Sequence, residues 1–169
     1  MSNIKNEDCP KMAKFNRIDH IAIAVTDLDQ SIDFFTSMLG FTLSCRRVIH
    51  GLKTGMVSAE LEHNGIKFVL CQGTEPESQV SKLIENYGPG VAHIAFAVDD
   101  VEEAAFILKN RSLTFDTTVI KGAGLKQIFS SRDGNTGLSF EFIERTGEDN
   151  FTEENIHELF TQLEKQGTY

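Results

Sequence analysis

The chain has 169 residues, 40% of them hydrophobic and 24% charged, the size and composition of a globular unit that buries a core without disulfide staples. Sixteen Lys and Arg against 25 Asp and Glu leave a net charge of −9, which argues against nucleic acid or an anionic membrane as partner. No apolar run is long enough to span a bilayer, and MSNIKNEDCPKMAKFN lacks the apolar core of a secretory leader, so a cytoplasmic protein is expected. Cys9, Cys45 and Cys71 share no CxxC spacing and read as free thiols.

In chain order, the first element is a strand, HIAIAVTD, at residues 20–27. DLDQSIDFFTSMLGF follows, with Ile32, Phe35, Met38 and Leu39 at helical spacing, Asp27 as N-cap and Gly40 as stop. Three β-type runs come next, near 41–49, 55–62 and 66–71. EPESQVSKLIENYG reads as a helical linker. Residues 93–100, HIAFAVDD, then repeat the first strand at six of eight positions. A second helix, DVEEAAFILKN, is capped by Asp99 or Asp100, and β-type runs near 114–120, 125–131 and 138–144 complete the second half. TEENIHELFTQLEKQG is a last amphipathic helix, with Ile156, Leu159, Phe160 and Leu163 on its apolar side.

The repeat predicts an α+β fold: two βαβββ modules forming one curved mixed sheet, helices outside, plus a C-terminal helix. Residues 1–15 read as a flexible N-terminus. Residues 16–146 read as one domain of two repeats (16–72 and 90–146, helical linker 75–88), and 147–169 as a C-terminal lid helix hinged near Gly147.

Side chains alternate across a strand, so His20 shares a face with Ala22 and Ala24, and His93 with Ala95 and Ala97. Small neighbours leave room beside each histidine. In the last strands of the halves, IKFVLCQ (66–72) aligns with LSFEFIE (138–144), which sets Glu141 against Val69. Phe140 and Phe142 take the face opposite Glu141. A carboxylate in a buried strand pattern calls for a metal or an ion-pair partner. Two histidines and one carboxylate on an inner face form a three-ligand set that suits non-haem Fe(II), and zinc enzymes use the same ligand types. His50, His63 and His157 read as solvated. The chain has no GxGxxG, GxxxxGK[ST] or HExxH motif.

The repeated module with a histidine on each first strand resembles the vicinal oxygen chelate superfamily of glyoxalases, epimerases and dioxygenases. RIDHIAIAV, SQVSKLIENYGPGVAHIAFAVDDV, LKQIFSSRDG and SFEFIERTGEDNFTEENIHELF resemble the catalytic module of 4-hydroxyphenylpyruvate dioxygenase and hydroxymandelate synthase, from Arg17 to Leu163. The resemblance implies His20, His93 and Glu141 as ligands of Fe(II) or another divalent metal. It implies Gln79, Gln127, Phe129 and Ile156 as substrate-binding, with Gln127 also catalytic and Asn155 on the tail helix. It further implies a small-molecule 2-oxo acid and O2 as substrates, oxidatively decarboxylated and hydroxylated, and it admits a homodimer. Ala92, Cys71, Ser139 and Ile156 depart from the pattern and put hydroxyphenylpyruvate itself in doubt. The alternative is an isomerase or lyase like methylmalonyl-CoA epimerase or glyoxalase. There the position of Val69 is a fourth ligand, unless a shifted register brings Lys67 or Gln72 to it.

Overall fold

In the computed structural model, which describes residues 11–122, 124–147 and 153–166, eight strands form one curled mixed sheet. They are β1 (Arg17–Ala24), β2 (Thr42–His50), β3 (Gly55–His63), β4 (Ile66–Gly73), β5 (Gly90–Ala97), β6 (Ile120–Gly122), β7 (Leu125–Phe129) and β8 (Phe140–Arg145). The order across the sheet is β2-β3-β4-β1-β5-β8-β7-β6. Each half sends its last strand back parallel to its first, β4 beside β1 and β8 beside β5. The halves join through the antiparallel seam of β1 and β5.

The seam carries the internal symmetry. Ile21 pairs with Ile94, and the pairs on either side, His20 with Ala95 and Ala22 with His93, exchange under a pseudo-twofold axis. The same axis relates Val69, beside Ala22, to Glu141, beside Ala95. This register sets Val69, not Lys67 or Gln72, opposite Glu141.

The helices are α1 (Leu28–Asp33), α2 (Gln79–Tyr87), α3 (Val101–Asn110) and α4 (Glu153–Gln166). The α1 and α3 caps are Asp27 and Asp100, whose carboxylates accept from the N–H groups of Gln30 and Glu103. Of the four, α1 and α3 each cover the outer face of their half, while α2 and α4 lie against the inner side. Val25, Leu28, Ala59, Leu61 and Leu70 form one core cluster, and Val98, Val101, Ala104, Ile128 and Phe142 another. The outer face was legible as the apolar side of each strand.

Three expectations need correction. The first helix does not run evenly to Gly40. It widens at Phe34–Met38 into a π turn, which shifts the period so that Phe35 packs inward while Met38 is 75% exposed and Leu39 is also exposed. The strand near 114–120 is reduced to Ile120–Gly122 and a bridge from Phe115 to Ser130. Side chains replace its ladder. The Thr117 hydroxyl accepts from the Phe129 N–H at 3.0 Å, and the Thr118 N–H donates to the Gln162 side chain of α4 at 3.0 Å. The linker helix is also shorter than its stretch. It begins after Ser78, whose hydroxyl caps it, and stops at Gly88 with φ of 81°. Of the expected flexible N-terminus, residues 1–10 lie outside the described residues, and 11–16 have no regular structure.

Candidate metal centre

The outer face of the sheet is apolar, whereas the inner face sets a few polar side chains among apolar ones. His20 on β1, His93 on β5 and Glu141 on β8 converge there. Oε2 of Glu141 lies 3.2 Å from Nε2 of His20 and 3.2 Å from Nε2 of His93, and the two Nε2 atoms are 3.4 Å apart. His20 and Glu141 are buried and His93 is half-buried. The alanines at 22, 24, 95 and 97 are buried around them, which is the room that the strand pattern implied. Val69 faces the same chamber and offers no donor atom.

The donor set fits a divalent ion. Atoms bound about 2.1 Å from one ion stand about 3 to 3.4 Å apart, the spacing found here. Oε1 of Glu141 is buried without a hydrogen bond. A buried carboxylate oxygen left alone is costly, and a cation removes that cost. The histidine tautomer is also prepared: Nδ1 of His20 lies 3.0 Å from Oδ1 of Asp19, so Nδ1–H donates to Asp19 and the Nε2 lone pair faces the other donors.

Asp19 is itself clamped. Arg145 donates to it from Nε at 2.9 Å and from Nη2 at 2.8 Å, and Arg17 adds a contact at 3.4 Å. Burial would raise the Asp19 carboxyl, but hydrogen bonds from Arg145 and His20 overcome this and hold it well below the usual range. Burial likewise opposes charge on His20, yet Glu141 and Asp19 raise its pKa to about 9. Burial, only partly offset by Glu141, lowers His93. Glu141 is driven down to about 2 by the two histidines, against its own burial. These shifts favour a proton on His20, between Asp19 and Glu141, over one on His93.

The triad lines a chamber of about 60 Å³ with Gln127, Phe129 and Ile156. The chamber adjoins an outer cavity of about 160 Å³ that reaches Gln79, Ser139 and Arg132. The residues expected around a substrate therefore lie together, with Gln79 in the outer cavity and the others beside the triad. The Gln127 amide is 1% exposed, and neither its oxygen nor its nitrogen has a partner among the described residues. The Phe129 ring stands edge-on to His93 at 5.3 Å. Ile156 is buried on α4. The side chain of Asn155 lies outside the described residues. His50, His63 and His157 are exposed. Cys45 and Cys71 are free thiols; Cys9 lies outside the described residues. Burial and the nearby Glu60 raise the Cys71 thiol to about 12, so it is no thiolate ligand.

Sequence reasoning missed Asp19, Arg145, Arg47 and Glu60. Alternation sends Asp19 to the face opposite His20, but a register shift between Ile18 and His20 lets the two side chains meet. Arg47 and Glu60 sit on strands whose polar residues alternate with apolar ones, which reads equally well as a solvent face.

A fold of this topology around such a donor set defines a class of small-molecule metal enzymes. The sequence profile of the Glyoxalase/Bleomycin resistance protein/Dioxygenase superfamily matches residues 17–137, and the chain belongs to that superfamily. It is 28% identical over 135 residues to the uncharacterized protein YqjC of Bacillus subtilis, covering 79% of this chain and 95% of YqjC. Its fold is similar to that of a 4-hydroxymandelate synthase variant from Streptomyces coelicolor, with a TM-score of 0.80 and 22% identity over 90% of this chain. The match covers 55% of the synthase, so the chain spans about half its length. It is also similar to methylmalonyl-CoA epimerase from Mycobacterium tuberculosis, with a TM-score of 0.69 and 23% identity over 81% of this chain and 93% of the epimerase. No helix among the described residues is long and apolar enough to cross a membrane.

Proposed function

We propose that the chain is a metal-dependent dioxygenase that uses Fe(II), or a related divalent ion, held by His20, His93 and Glu141, and that its substrate is a small 2-oxo acid. The observation that carries this reading is the three-donor set with Val69 at the symmetric fourth position. A set completed by valine leaves several positions for substrate and O2, as oxygenase chemistry requires. When bound, Fe(II) would relay electrons from the 2-oxo acid to dioxygen, two from its oxidative decarboxylation and two from its hydroxylation, and would act as the Lewis acid for the keto and carboxylate oxygens.

The chain's own residues supply the rest. Asp19, locked by Arg145, orients His20. Gln127 presents a buried donor and a buried acceptor without partners among the described residues, and hydrogen-bonds the substrate beside the metal. Phe129 packs its ring against the substrate's carbon frame. Ile156 closes the chamber from α4 and excludes water, and residues 147–169 serve as the lid. Gln79 binds the part of the substrate that extends into the outer cavity.

The second reading is a metal-dependent isomerase, supported by the match to nearly the full length of an epimerase. One experiment separates the two. Metal-free protein is titrated anaerobically with Fe(II) and then with a panel of 2-oxo acids. A weak visible charge-transfer band that bleaches on admitting O2 is the expected result. If Fe(II) binds, no acid gives a band, and Co(II)-loaded protein instead exchanges the α-proton of an acyl-CoA thioester, the isomerase reading replaces the oxygenase.

A further inference from the structure

The pseudo-twofold axis relates the two inner walls position by position. Register pairs Val69 with Glu60 and Glu141 with Phe129. One step along, Cys71 pairs with Ser58 and Ile143 with Gln127. The edge strands continue the rows, Arg47 opposite Ser58 and Ile120 opposite Gln127. Where the second half places a carboxylate ligand, an aromatic ring and an aliphatic side chain, the first half places valine, Glu60 and Arg47.

Arg47 and Glu60 both line the chamber that holds the triad. Their side chains are only 15% and 18% exposed, and Nη1 of Arg47 donates to Oε1 of Glu60. That bond uses one of five N–H donors, and no other hydrogen bond of Arg47 is seen among the described residues. Well-packed apolar residues would serve stability as well as such a half-buried ion pair. Met56, Val69, Cys71 and Ile156 show that apolar residues are accepted in this wall.

Charge decides what the pair can receive. A divalent ion beside one Glu141 carboxylate carries one net positive charge, which the carboxylate of a chelated 2-oxo acid cancels. The Arg47–Glu60 pair is neutral. A second substrate carboxylate would leave an uncompensated buried negative charge in a chain that already carries −9. A neutral group that both accepts and donates meets no such cost.

We infer that the Arg47–Glu60 pair is a specificity-determining subsite that receives a hydroxyl or carboxamide at the far end of the metal-held substrate. Arg47 donates to its oxygen, and Glu60 accepts its proton in a hydrogen bond. This rests on the 2-oxo acid reading above, and it narrows the substrate class to 2-oxo acids with a neutral, hydrogen-bonding terminus.

The test uses Co(II)-loaded full-length protein and 2-oxo acids of matched length ending in methyl, hydroxyl, carboxamide or carboxylate, followed by the Co(II) spectrum and by calorimetry. The hydroxyl and carboxamide acids are expected to bind about 10- to 100-fold more tightly than the methyl acid, the worth of hydrogen bonds to charged groups. The double variant Arg47→Met, Glu60→Leu removes that preference and keeps affinity for the methyl acid. Glu60→Gln, which preserves shape, is the second variant should the double variant fail to fold; it reduces the hydroxyl preference. Equal binding of all termini overturns the subsite while leaving the oxygenase reading intact. Tightest binding of the carboxylate terminus overturns the neutral assignment. A Co(II) spectrum that no 2-oxo acid perturbs removes the oxygenase reading, and this inference with it.

Discussion

Glu141 joins two histidines that come from different halves of the chain, and each side chain of the triad has its own consequence. Glu141→Ala is expected to reduce Fe(II) affinity at least 100-fold in anaerobic titration while the far-UV circular dichroism is unchanged, since the site lies in a chamber and not in the apolar core. The proton on His20 gives a pH dependence with a definite sign. Its pKa is raised from 6.5 to about 9, so its contribution to metal-free stability is complete below pH 6.5 and is lost as pH rises through about 9. A metal must displace that proton. Calorimetry in buffers of different ionisation enthalpy should therefore find about one proton released per ion at pH 7.5 and almost none above about pH 10.5. Asp19→Asn should weaken metal binding about 10- to 100-fold, the usual worth of a partner that orients a ligand histidine. It should also cost about 3 kcal/mol in urea denaturation, because Arg145 loses its buried counter-charge. His20, His93 and Glu141 could be read as a group from the sequence because symmetry and alternation both point to the histidines, and alternation puts a carboxylate on the same inner face. Asp19 could not, because a one-residue bulge is invisible to a period of two.

Among the elements, the helices were legible from their caps, and the strands from their alternation, wherever backbone partners alone decide the structure. The exceptions arise where side chains take over backbone bonds. Thr117 and Gln162 hold residues 117–118 as a support for α4, and the expected strand gives way. The inner rows of β2 and β3 were illegible for a different reason: a chamber wall that carries charged side chains and a face turned to bulk water show the same pattern. The junction of β4 and α2 shows how closely elements meet. A Cβ at Gly73 would lie 2.0 Å from Oγ of Ser78 and 3.0 Å from the Ser81 nitrogen. Gly73→Ala must displace the Ser78 cap, at a cost of about 1–2 kcal/mol. Because Gln79 begins that helix, the expected result is a lower melting temperature together with weaker substrate binding, and unchanged Fe(II) affinity.

For the whole molecule, two similar halves build one curled sheet and bring the His20, His93 and Glu141 donor set together beside the axis between them. The axis offers a direct manipulation. Val69→Glu places a second carboxylate where symmetry puts the partner of Glu141. Co(II) should then bind more tightly and show a changed visible spectrum, while 2-oxo acids no longer perturb it because a chain oxygen has taken a substrate position. A spectrum like that of the parent protein, with the acids still active, would mean that Val69 does not face an open position of the metal.

The same axis has a consequence for how a substrate is oriented. A site with true twofold symmetry would hold an unsymmetrical substrate equally well in two orientations, related by a half-turn about the axis. Here Val69 opposes Glu141, Glu60 opposes Phe129, and Arg47 opposes Ile120, so the two orientations differ at every row of the chamber. Only one points the substrate's far end toward the ion pair. The inequality of the two walls thus acts as an orienting template: an unsymmetrical substrate held at this donor set should lie end-on in one direction only and give a single positional isomer of product.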